Sequence, residues 1–289
     1  MIIAIASGKG GTGKTTVAVN LALSLDNVQF LDCDVEEPNA HIFLKSHLSR
    51  AESAVIPVPE IDESKCTYCG TCRDVCAYHA LAVVPASEGR KGSVLNFPHL
   101  CHGCGACRLL CPNGAIREVN KEIGRIEFGA RDGMEFIHGR LNIGEAMSPP
   151  VIRQVKYYIK PARIVIIDAP PGTSCPVITA VKGSDFCILV TEPTPFGLND
   201  LVLAVEVVRK LNIPCGVVIN RADIGDGKVE AYCRSESIPV LMKIPFKREI
   251  AAWYSEGIPL VERDAAYRQT FINLYITICG IINETNSCC

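Results

Sequence analysis

The chain has 289 residues, of which 48% are hydrophobic, and its 29 basic and 31 acidic residues leave a formal charge of −2. This length and composition suit a globular protein with one large domain and a small insert. The near-neutral balance gives no overall field that would attract nucleic acid or an anionic membrane, so we expect neither partner.

Sixteen cysteines would suggest disulfides in a secreted protein, but the start of the sequence argues for a reducing compartment instead. The apolar residues 1–6 lead directly into a glycine-rich loop, without the basic segment that is typical of a signal peptide. No uninterrupted apolar run approaches the roughly 18 residues that a membrane span requires. We therefore expect a cytoplasmic protein.

Six short apolar runs predict buried strands of a parallel sheet. They lie at residues 2–6, 28–31, 164–167, 186–191, 216–219 and 240–244. Between several of them, helical patterns are found at residues 15–25, 198–211 and 248–256. This β-α-β alternation predicts an α/β fold whose mostly parallel sheet has helices on both faces. A helical pattern over residues 271–282 predicts a packed terminal helix, since it lacks the Lys/Arg face of a membrane-surface helix.

The gap between the second and third predicted strands is about 130 residues, which is far longer than an ordinary crossover and predicts an inserted domain. Residues 66–81 and 101–116 repeat one cysteine-rich pattern and indicate an internal duplication. Further on, residues 125–141 alternate like a glycine-rich hairpin, and residues 149–158 predict a helix leading back to the sheet.

These patterns set the predicted domain bounds. Residues 59–117 form the expected insertion, a small α+β domain. The discontinuous core comprises residues 1–58 and 118–289.

A phosphate-binding loop follows the first predicted strand and precedes the first predicted helix. Residues 8–15 have the pattern G-x-x-x-x-G-K-[ST], in which backbone N–H groups and a helix N-terminus surround phosphate oxygens. We expect Lys14 to reach the β- and γ-phosphates, Thr15 to bind Mg²⁺ and Thr16 to approach the α-phosphate. The expected nucleotide-binding residues of the loop are Gly8, Gly10, Gly11, Thr12, Gly13, Lys14, Thr15 and Thr16.

The same loop contains a second lysine, Lys9, and so resembles the deviant Walker A motif of MinD/Mrp/ParA P-loop ATPases. This resemblance implies ATP hydrolysis and a role for Lys9 across a dimer, at the partner's nucleotide. The alternative is a solvated loop lysine. A dimer of this kind forms either between two copies of the chain or with a related ATPase.

Other positions match the same family in order. Asp34 follows the second predicted strand, where the resemblance implies a residue that orients or deprotonates the attacking water; the alternative is a turn cap. Asp168 ends an apolar run, as the Walker B carboxylate of the Mg²⁺ shell does. Asn220 and Arg221 resemble the position that contacts the base, which favours adenine.

Two runs of four cysteines have the spacing C-x₂-C-x₂-C-x₃-C of bacterial two-cluster ferredoxins, in which the fourth cysteine of each run ligates the other cluster. The first predicted [4Fe-4S] site therefore comprises Cys66, Cys69, Cys72 and Cys111, and the second comprises Cys101, Cys104, Cys107 and Cys76. Zinc is the alternative, but four-cysteine zinc sites usually use paired C-x₂-C runs. Ala77 follows Cys76 where the ferredoxin pattern has proline, as in Pro112 after Cys111.

Cys175 lies shortly after Asp168, on the segment that matches the second switch of the family. The nitrogenase iron protein, a relative within this ATPase class, has a dimer-bridging cluster ligand at a similar offset. Cys175 is therefore a candidate ligand or transient acceptor, with a structural role as the alternative. Cys288 and Cys289 are either a metal-capturing pair or free thiols.

Three functions are compatible with these motifs. The first hypothesis is an ATPase that assembles, holds or delivers iron–sulfur or related metal cofactors to an apo-protein. The second is ATP-gated electron transfer to a redox partner. It is favoured because fully ligated clusters are poor cargo and the C-x-x-C by which Mrp-type carriers bridge a cluster is not evident. The third and weakest is MinD/ParA-like spatial organisation, since the chain lacks a basic amphipathic tail.

Overall fold

The structure is a computed structural model that describes residues 1–287, and these divide into two compact units. The first unit contains Met1–Glu52, Ile126–Arg140 and the described chain from Ile152 onward. The second contains Ser53–Arg125 and Leu141–Val151. Cys288 and Cys289, the candidate thiol pair, lie outside the described residues.

Within residues 1–287, one sheet has nine strands, which are β1 (Ile2–Ala6), β2 (Val28–Asp32), β3 (His47–Ile61), β6 (Ile116–Arg131), β7 (Met134–Leu141), β8 (Ile164–Asp168), β9 (Phe186–Thr191), β10 (Cys215–Asn220) and β11 (Val240–Ile244). Their order across the sheet is β11-β10-β9-β1-β8-β2-β7-β6-β3. Every neighbouring pair from β11 to β7 is parallel. A separate antiparallel pair joins β4 (Leu81–Val84) to β5 (Ser93–Asn96).

The helices alternate with these strands and confirm the α/β fold class. They are α1 (Lys14–Leu23), α2 (Ala40–Leu44), α3 (Thr71–Asp74), α4 (Ala106–Leu109), α5 (Pro149–Lys156), α6 (Cys175–Val181), α7 (Pro195–Lys210), α8 (Lys228–Ser235), α9 (Arg248–Ser255), α10 (Leu260–Arg263) and α11 (Ala265–Ser287). In the described part of the chain, none of them combines the length and the apolar character that a bilayer crossing demands.

The core of the first unit lies around the central strands, whose residues are buried on both faces. β2 and β9 are buried along their whole length, which explains the mainly apolar sequence of β9 and places Gln29 and Asp32 of β2 among the buried polar residues. α11 contributes Phe271, Leu274 and Ile278 to the same core, at the helical spacing that the sequence shows.

The segment between β2 and β8 contains three strands of the large sheet that the apolar runs did not predict as such. β6 and β7 form the hairpin expected near residues 125–141, and they are joined by Asp132 and Gly133. Both turn residues have positive φ, of 48° and 83°, as a tight two-residue hairpin turn requires. The predicted insertion, residues 59–117, falls within Ser53–Arg125, and its ferredoxin-like character stays a prediction.

Candidate functional site

The phosphate-binding loop connects β1 to α1, and its glycines are required by the backbone. Gly11 and Gly13 have φ of 77° and 94°, a left-handed conformation that other residues rarely adopt. A Cβ atom on Gly8 would lie 2.2 Å from the carbonyl oxygen of Asp200 on α7. The loop therefore packs closely against α7 while its backbone N–H groups remain available at the start of α1.

A cavity of about 370 Å³ opens beside this loop in the first unit. One end is polar and is lined by Gly10, Gly11, Gly13, Lys14, Thr15, Thr16 and Asp34. The other end is more apolar and includes Ile244, Pro245, Phe246 and Tyr254, beside Asn220 and Arg221. A polar end for phosphates and an apolar end for a base suit a nucleotide.

Thr15, which lines the cavity, contacts the buried Asp168 behind it. The Thr15 hydroxyl donates to Oδ2 of Asp168 at 2.6 Å. Asp168 is fully buried, and its Oδ1 has no hydrogen-bond partner among the described residues. Mg²⁺ prefers oxygen ligands of these two kinds, and an unused buried carboxylate oxygen is costly without a ligand. The pair therefore fits a Mg²⁺ ion bound with nucleotide phosphates.

Asp32 organises the segment that carries Asp34, a role that the sequence reasoning missed. Its two carboxylate oxygens accept the N–H groups of Asp34 and Ala40, each at 3.1 Å. Burial raises the pKa of Asp32, and the nearby Asp168 raises it further. The sequence did contain one indication of this role, namely that Asp32 is a carboxylate at the end of a predicted buried strand.

Asp34 lines the same cavity as Lys14 and Thr15. Burial raises its pKa to about 6, although Lys14 opposes the shift. Its role in hydrolysis stays a prediction.

The buried Asp168 should make the stability of the nucleotide-free protein depend on pH. Burial raises its pKa from 3.8 to about 7, so the folded state binds a proton that the unfolded state has already released between these values. Stability should therefore fall as pH rises through this window. We expect a lower thermal midpoint at pH 8 than at pH 6 in EDTA.

The control for this prediction is Asp168→Asn, which removes the buried charge. It should raise the midpoint at pH 8 by several degrees and reduce the dependence on pH, of which a part should remain because the pKa values of Asp32 and Asp34 are also raised. Anaerobic scanning fluorimetry of both proteins measures this, and an unchanged slope in the variant would contradict the assignment.

Lys9 forms an ion pair within its own chain. Its Nζ lies 3.5 Å from Oε2 of Glu192, the residue that follows β9. The Arg221 guanidinium lies 2.8 Å from Oε1 of the same carboxylate. Glu192 was not predicted from the sequence, where it ends an apolar run without any recognised motif.

Asn220 and Arg221 both line the nucleotide cavity. The Asn220 amide donates to the carbonyl oxygen of Thr12 at 2.9 Å, and the Arg221 guanidinium lies 5.7 Å from the centre of the Phe246 ring. The structure thus places both residues next to the phosphate-binding loop and the apolar end. Contact with the base stays a prediction.

The cysteines of the two runs fall into two sets, each lining its own cavity in the second unit. The first cavity is lined by Cys66, Cys69, Cys72 and Cys111, and the second by Cys76, Cys101, Cys104 and Cys107. Each set combines three cysteines of one run with the fourth cysteine of the other run. This is the grouping that a cross-ligated pair of clusters requires.

Backbone N–H groups surround several of these sulfurs. Cys76 and Cys111, the equivalent fourth cysteines, each accept a hydrogen bond at 3.3 Å from the residue four positions later. Burial raises the pKa of the Cys101 thiol and raises that of Cys107 to about 11, whereas a bound metal ion deprotonates a coordinating thiol. N–H donors and clustered thiols are the donor set that a [4Fe-4S] cluster uses, so the residues fit this group.

In a [4Fe-4S] site each cysteine binds a different iron atom, so the four sulfurs need not converge on one point. Within residues 1–287, no three His, Cys, Asp or Glu side chains are arranged around a single metal ion position. Cys175 is exposed at the start of α6 and lines neither cysteine cavity. Its role as a ligand or acceptor stays a prediction.

The two cysteine runs also contact each other at equivalent positions of the repeat. The Asn113 amide donates to the Thr67 hydroxyl at 2.7 Å. At the corresponding positions of the other pair, the rings of Tyr78 and His102 stack with centroids 3.5 Å apart. A contact between the two repeats therefore lies beside each set of cysteines.

Comparison with known proteins agrees with the fold and the phosphate-binding loop. Residues 3–260 match the family described as the CobQ/CobB/MinD/ParA nucleotide binding domain. An uncharacterised protein of Methanocaldococcus jannaschii is 37% identical over 277 residues, which cover 89% of this chain and 98% of that protein. The iron-sulfur cluster carrier protein of Pyrococcus abyssi is 25% identical over 287 residues, covering 90% of this chain and 78% of that protein.

A solved structure shares the fold. It is the septum site-determining protein MinD of Pyrococcus horikoshii OT3 complexed with Mg-ADP, with a TM-score of 0.57 and 21% identity, covering 94% of this chain and 93% of that one. The resemblance to MinD/Mrp/ParA ATPases is confirmed. The chain belongs to the CobQ/CobB/MinD/ParA family of nucleotide-binding proteins.

Proposed function

We propose that this protein is an ATPase that holds two [4Fe-4S] clusters and acts in the assembly or delivery of iron–sulfur or related metal cofactors. The observation that carries the proposal is the grouping of eight cysteines into two cavities of four, on a chain that also has a phosphate-binding loop beside a larger cavity. A protein that only bound nucleotide would have no use for these thiols.

The ATPase part of the proposal assigns a role to each polar residue of the nucleotide cavity. Lys14 neutralises the β- and γ-phosphates, and Thr15 with Asp168 holds Mg²⁺. Asp34 orients the attacking water, and its raised pKa brings it closer to the range of a general base. Lys9 completes the site of a partner protomer when ATP closes a dimer.

The cluster part rests on the two cysteine sets of the second unit. Cys66, Cys69, Cys72 and Cys111 would hold one cluster, and Cys76, Cys101, Cys104 and Cys107 the other. When bound, such clusters supply one-electron redox chemistry, or iron and sulfide for an acceptor. The backbone N–H groups at Cys76 and Cys111 would stabilise the thiolate form of these ligands. The iron-sulfur cluster carrier protein among the relatives supports a carrier role.

ATP-gated electron transfer is the second candidate function, and one observation favours it. Both cysteine sets contain four sulfurs, so neither cluster would have an open position at which an acceptor could begin to take it. In this case the clusters stay in place, and ATP turnover drives an electron to a redox partner.

Iron retention during ATP turnover distinguishes the two functions. Anaerobically purified, cluster-loaded protein is mixed with Mg-ATP and a cluster-free ferredoxin, and protein-bound iron is followed in both proteins. Delivery predicts that iron leaves this chain with hydrolysis and appears in the ferredoxin. If about eight irons stay bound through many turnovers, electron transfer becomes the better account.

Two controls complete this experiment. The same mixture without ATP measures spontaneous loss of iron, and Asp168→Asn should hold iron but fail to hydrolyse ATP. A protein that binds no iron after anaerobic reconstitution would overturn the cluster part of the proposal while leaving the ATPase part intact.

A further inference from the structure

Glu192 occupies a rigid position at the end of β9. Its carbonyl oxygen accepts the N–H of Thr194 at 2.8 Å, and a Cβ on Gly197 would lie 2.2 Å from that oxygen. The Thr191 hydroxyl donates to the carbonyl oxygen of Gly197 at 2.9 Å. These contacts fix the backbone around Glu192, and none of them involves its carboxylate.

That carboxylate is buried and lies between two cations from different elements. Lys9 comes from the phosphate-binding loop and Arg221 from the end of β10, at 3.5 Å and 2.8 Å respectively. The Glu192 side chain is only 10% exposed, whereas the two cationic side chains are 32% and 46% exposed. The anion is therefore fixed, and the cations are the groups that can leave.

A buried carboxylate is costly when it has no partner. Arg221 is the nearer cation, so Glu192 keeps an ion pair even when Lys9 departs, although its Oε1 accepts no hydrogen bond from the described residues. The arrangement therefore holds Lys9 in its own protomer and still allows it to be released.

We propose that Glu192 is a positioning residue that retains Lys9 within its own protomer until ATP closes a dimer and Lys9 moves to the partner's nucleotide. This inference rests on the proposed role of Lys9 across the dimer. It adds an acidic residue that sets the threshold for dimer formation, since each Lys9 must leave Glu192 before it reaches the opposite phosphates.

The first test measures how tightly Lys9 is held in the nucleotide-free protein. The protein is treated briefly with an acetylating reagent, and modification of Lys9 is quantified by peptide mass spectrometry. Glu192→Gln keeps the size of the side chain and removes its charge. We expect it to raise the Lys9 modification rate about two- to fivefold. Glu192→Asp keeps the charge, so its rate of Lys9 modification should be closer to that of the original protein.

Glu230→Gln is a matched control for this labelling. Glu230 is a largely buried carboxylate that pairs with Lys243 at 3.1 Å. Its replacement should raise modification of Lys243 and leave Lys9 unchanged. The proposal would be overturned if Lys9 were acetylated at the same rate in Glu192→Gln and in the chain without this substitution.

The second test measures dimerisation by sedimentation velocity in Mg-ATPγS, so that hydrolysis does not contribute. Glu192→Gln should lower the dimer dissociation constant about two- to fivefold. In a Lys9→Ala background the same substitution should have no such effect, because the two residues act as a pair. A faster Lys9 reaction without any change in dimerisation would refute the positioning role.

The same data separate this inference from the proposed function. If Lys9→Ala dimerises and hydrolyses ATP normally, the role of Lys9 across the dimer fails, and the inference fails with it. If Lys9→Ala is inactive but Glu192→Gln behaves like the original chain in both assays, only the inference fails.

Discussion

Replacing Lys9 by alanine is expected to lower the rate of ATP hydrolysis about a thousandfold and to leave ATP affinity within about threefold, as for a cation supplied by a partner. The described residues that line the nucleotide cavity include Lys14 but not Lys9, so the variant loses no contact with its own nucleotide. Phosphate release measures hydrolysis, and equilibrium binding of a fluorescent ATP analogue measures affinity. Lys14→Ala is the contrasting variant and should lose ATP binding itself.

A mixing experiment identifies the protomer in which Lys9 acts. Lys9→Ala and Asp168→Asn should each be inactive alone. A mixed dimer, however, contains one site with an intact Asp168 that faces an intact Lys9 from its partner. Mixing the two variants should therefore restore part of the activity. Absence of restoration, or full activity of Lys9→Ala alone, would contradict a role across the dimer.

The second large effect concerns the cross-ligated cysteines. Cys72→Ala and Cys111→Ala should each reduce bound iron from about eight to about four per chain, because both sulfurs line the same cavity. The double variant, Cys72→Ala with Cys111→Ala, should lose no more iron than either single variant. By contrast, Cys72→Ala combined with Cys76→Ala should remove both clusters, since Cys76 lines the second cavity.

These double variants discriminate between two ways of pairing the ligands. If each run served its own cluster, the Cys72 and Cys76 pair would leave about four irons, and the Cys72 and Cys111 pair would leave none. Iron analysis with Mössbauer spectroscopy after anaerobic reconstitution reports both the amount and the cluster type. Cys175→Ala is the control, because its sulfur lines neither cavity, and it should retain about eight irons.

Much of the core of the fold could be predicted because buried parallel strands are continuous apolar runs. The predicted bounds of β1, β9 and β11 agree with the structure. β3 was not predicted because its first half is largely exposed and therefore polar, which gives no apolar run to find. In β6, too, buried and exposed residues are mixed along the whole strand. β3 lies at the edge of the sheet and β6 next to it, and strands with such mixed exposure depend on pairing with the rest of the sheet more than on their own sequence.

Part of the nucleotide site could also be predicted from the sequence, but for a different reason. Lys14 and Thr15 belong to a local motif, and Asp168 ends an apolar strand, so the sequence marks all three. Glu192 and Asp32 act through contacts that form only after folding: an ion pair with Lys9 in one case, and two backbone N–H groups in the other. No local spacing encodes a pair as distant along the chain as Lys9 and Glu192.

The sharing of cysteines between the two repeats limits how this chain can change in evolution. Deleting either repeat would leave three cysteines of one set and the lone fourth cysteine of the other, and no complete quartet. The contacts of Thr67 with Asn113 and of Tyr78 with His102 would lose a partner as well. If the two sets hold clusters as we propose, losing a repeat would leave neither cluster with its full set of ligands, and a descendant with one cluster would need a replacement for its fourth ligand.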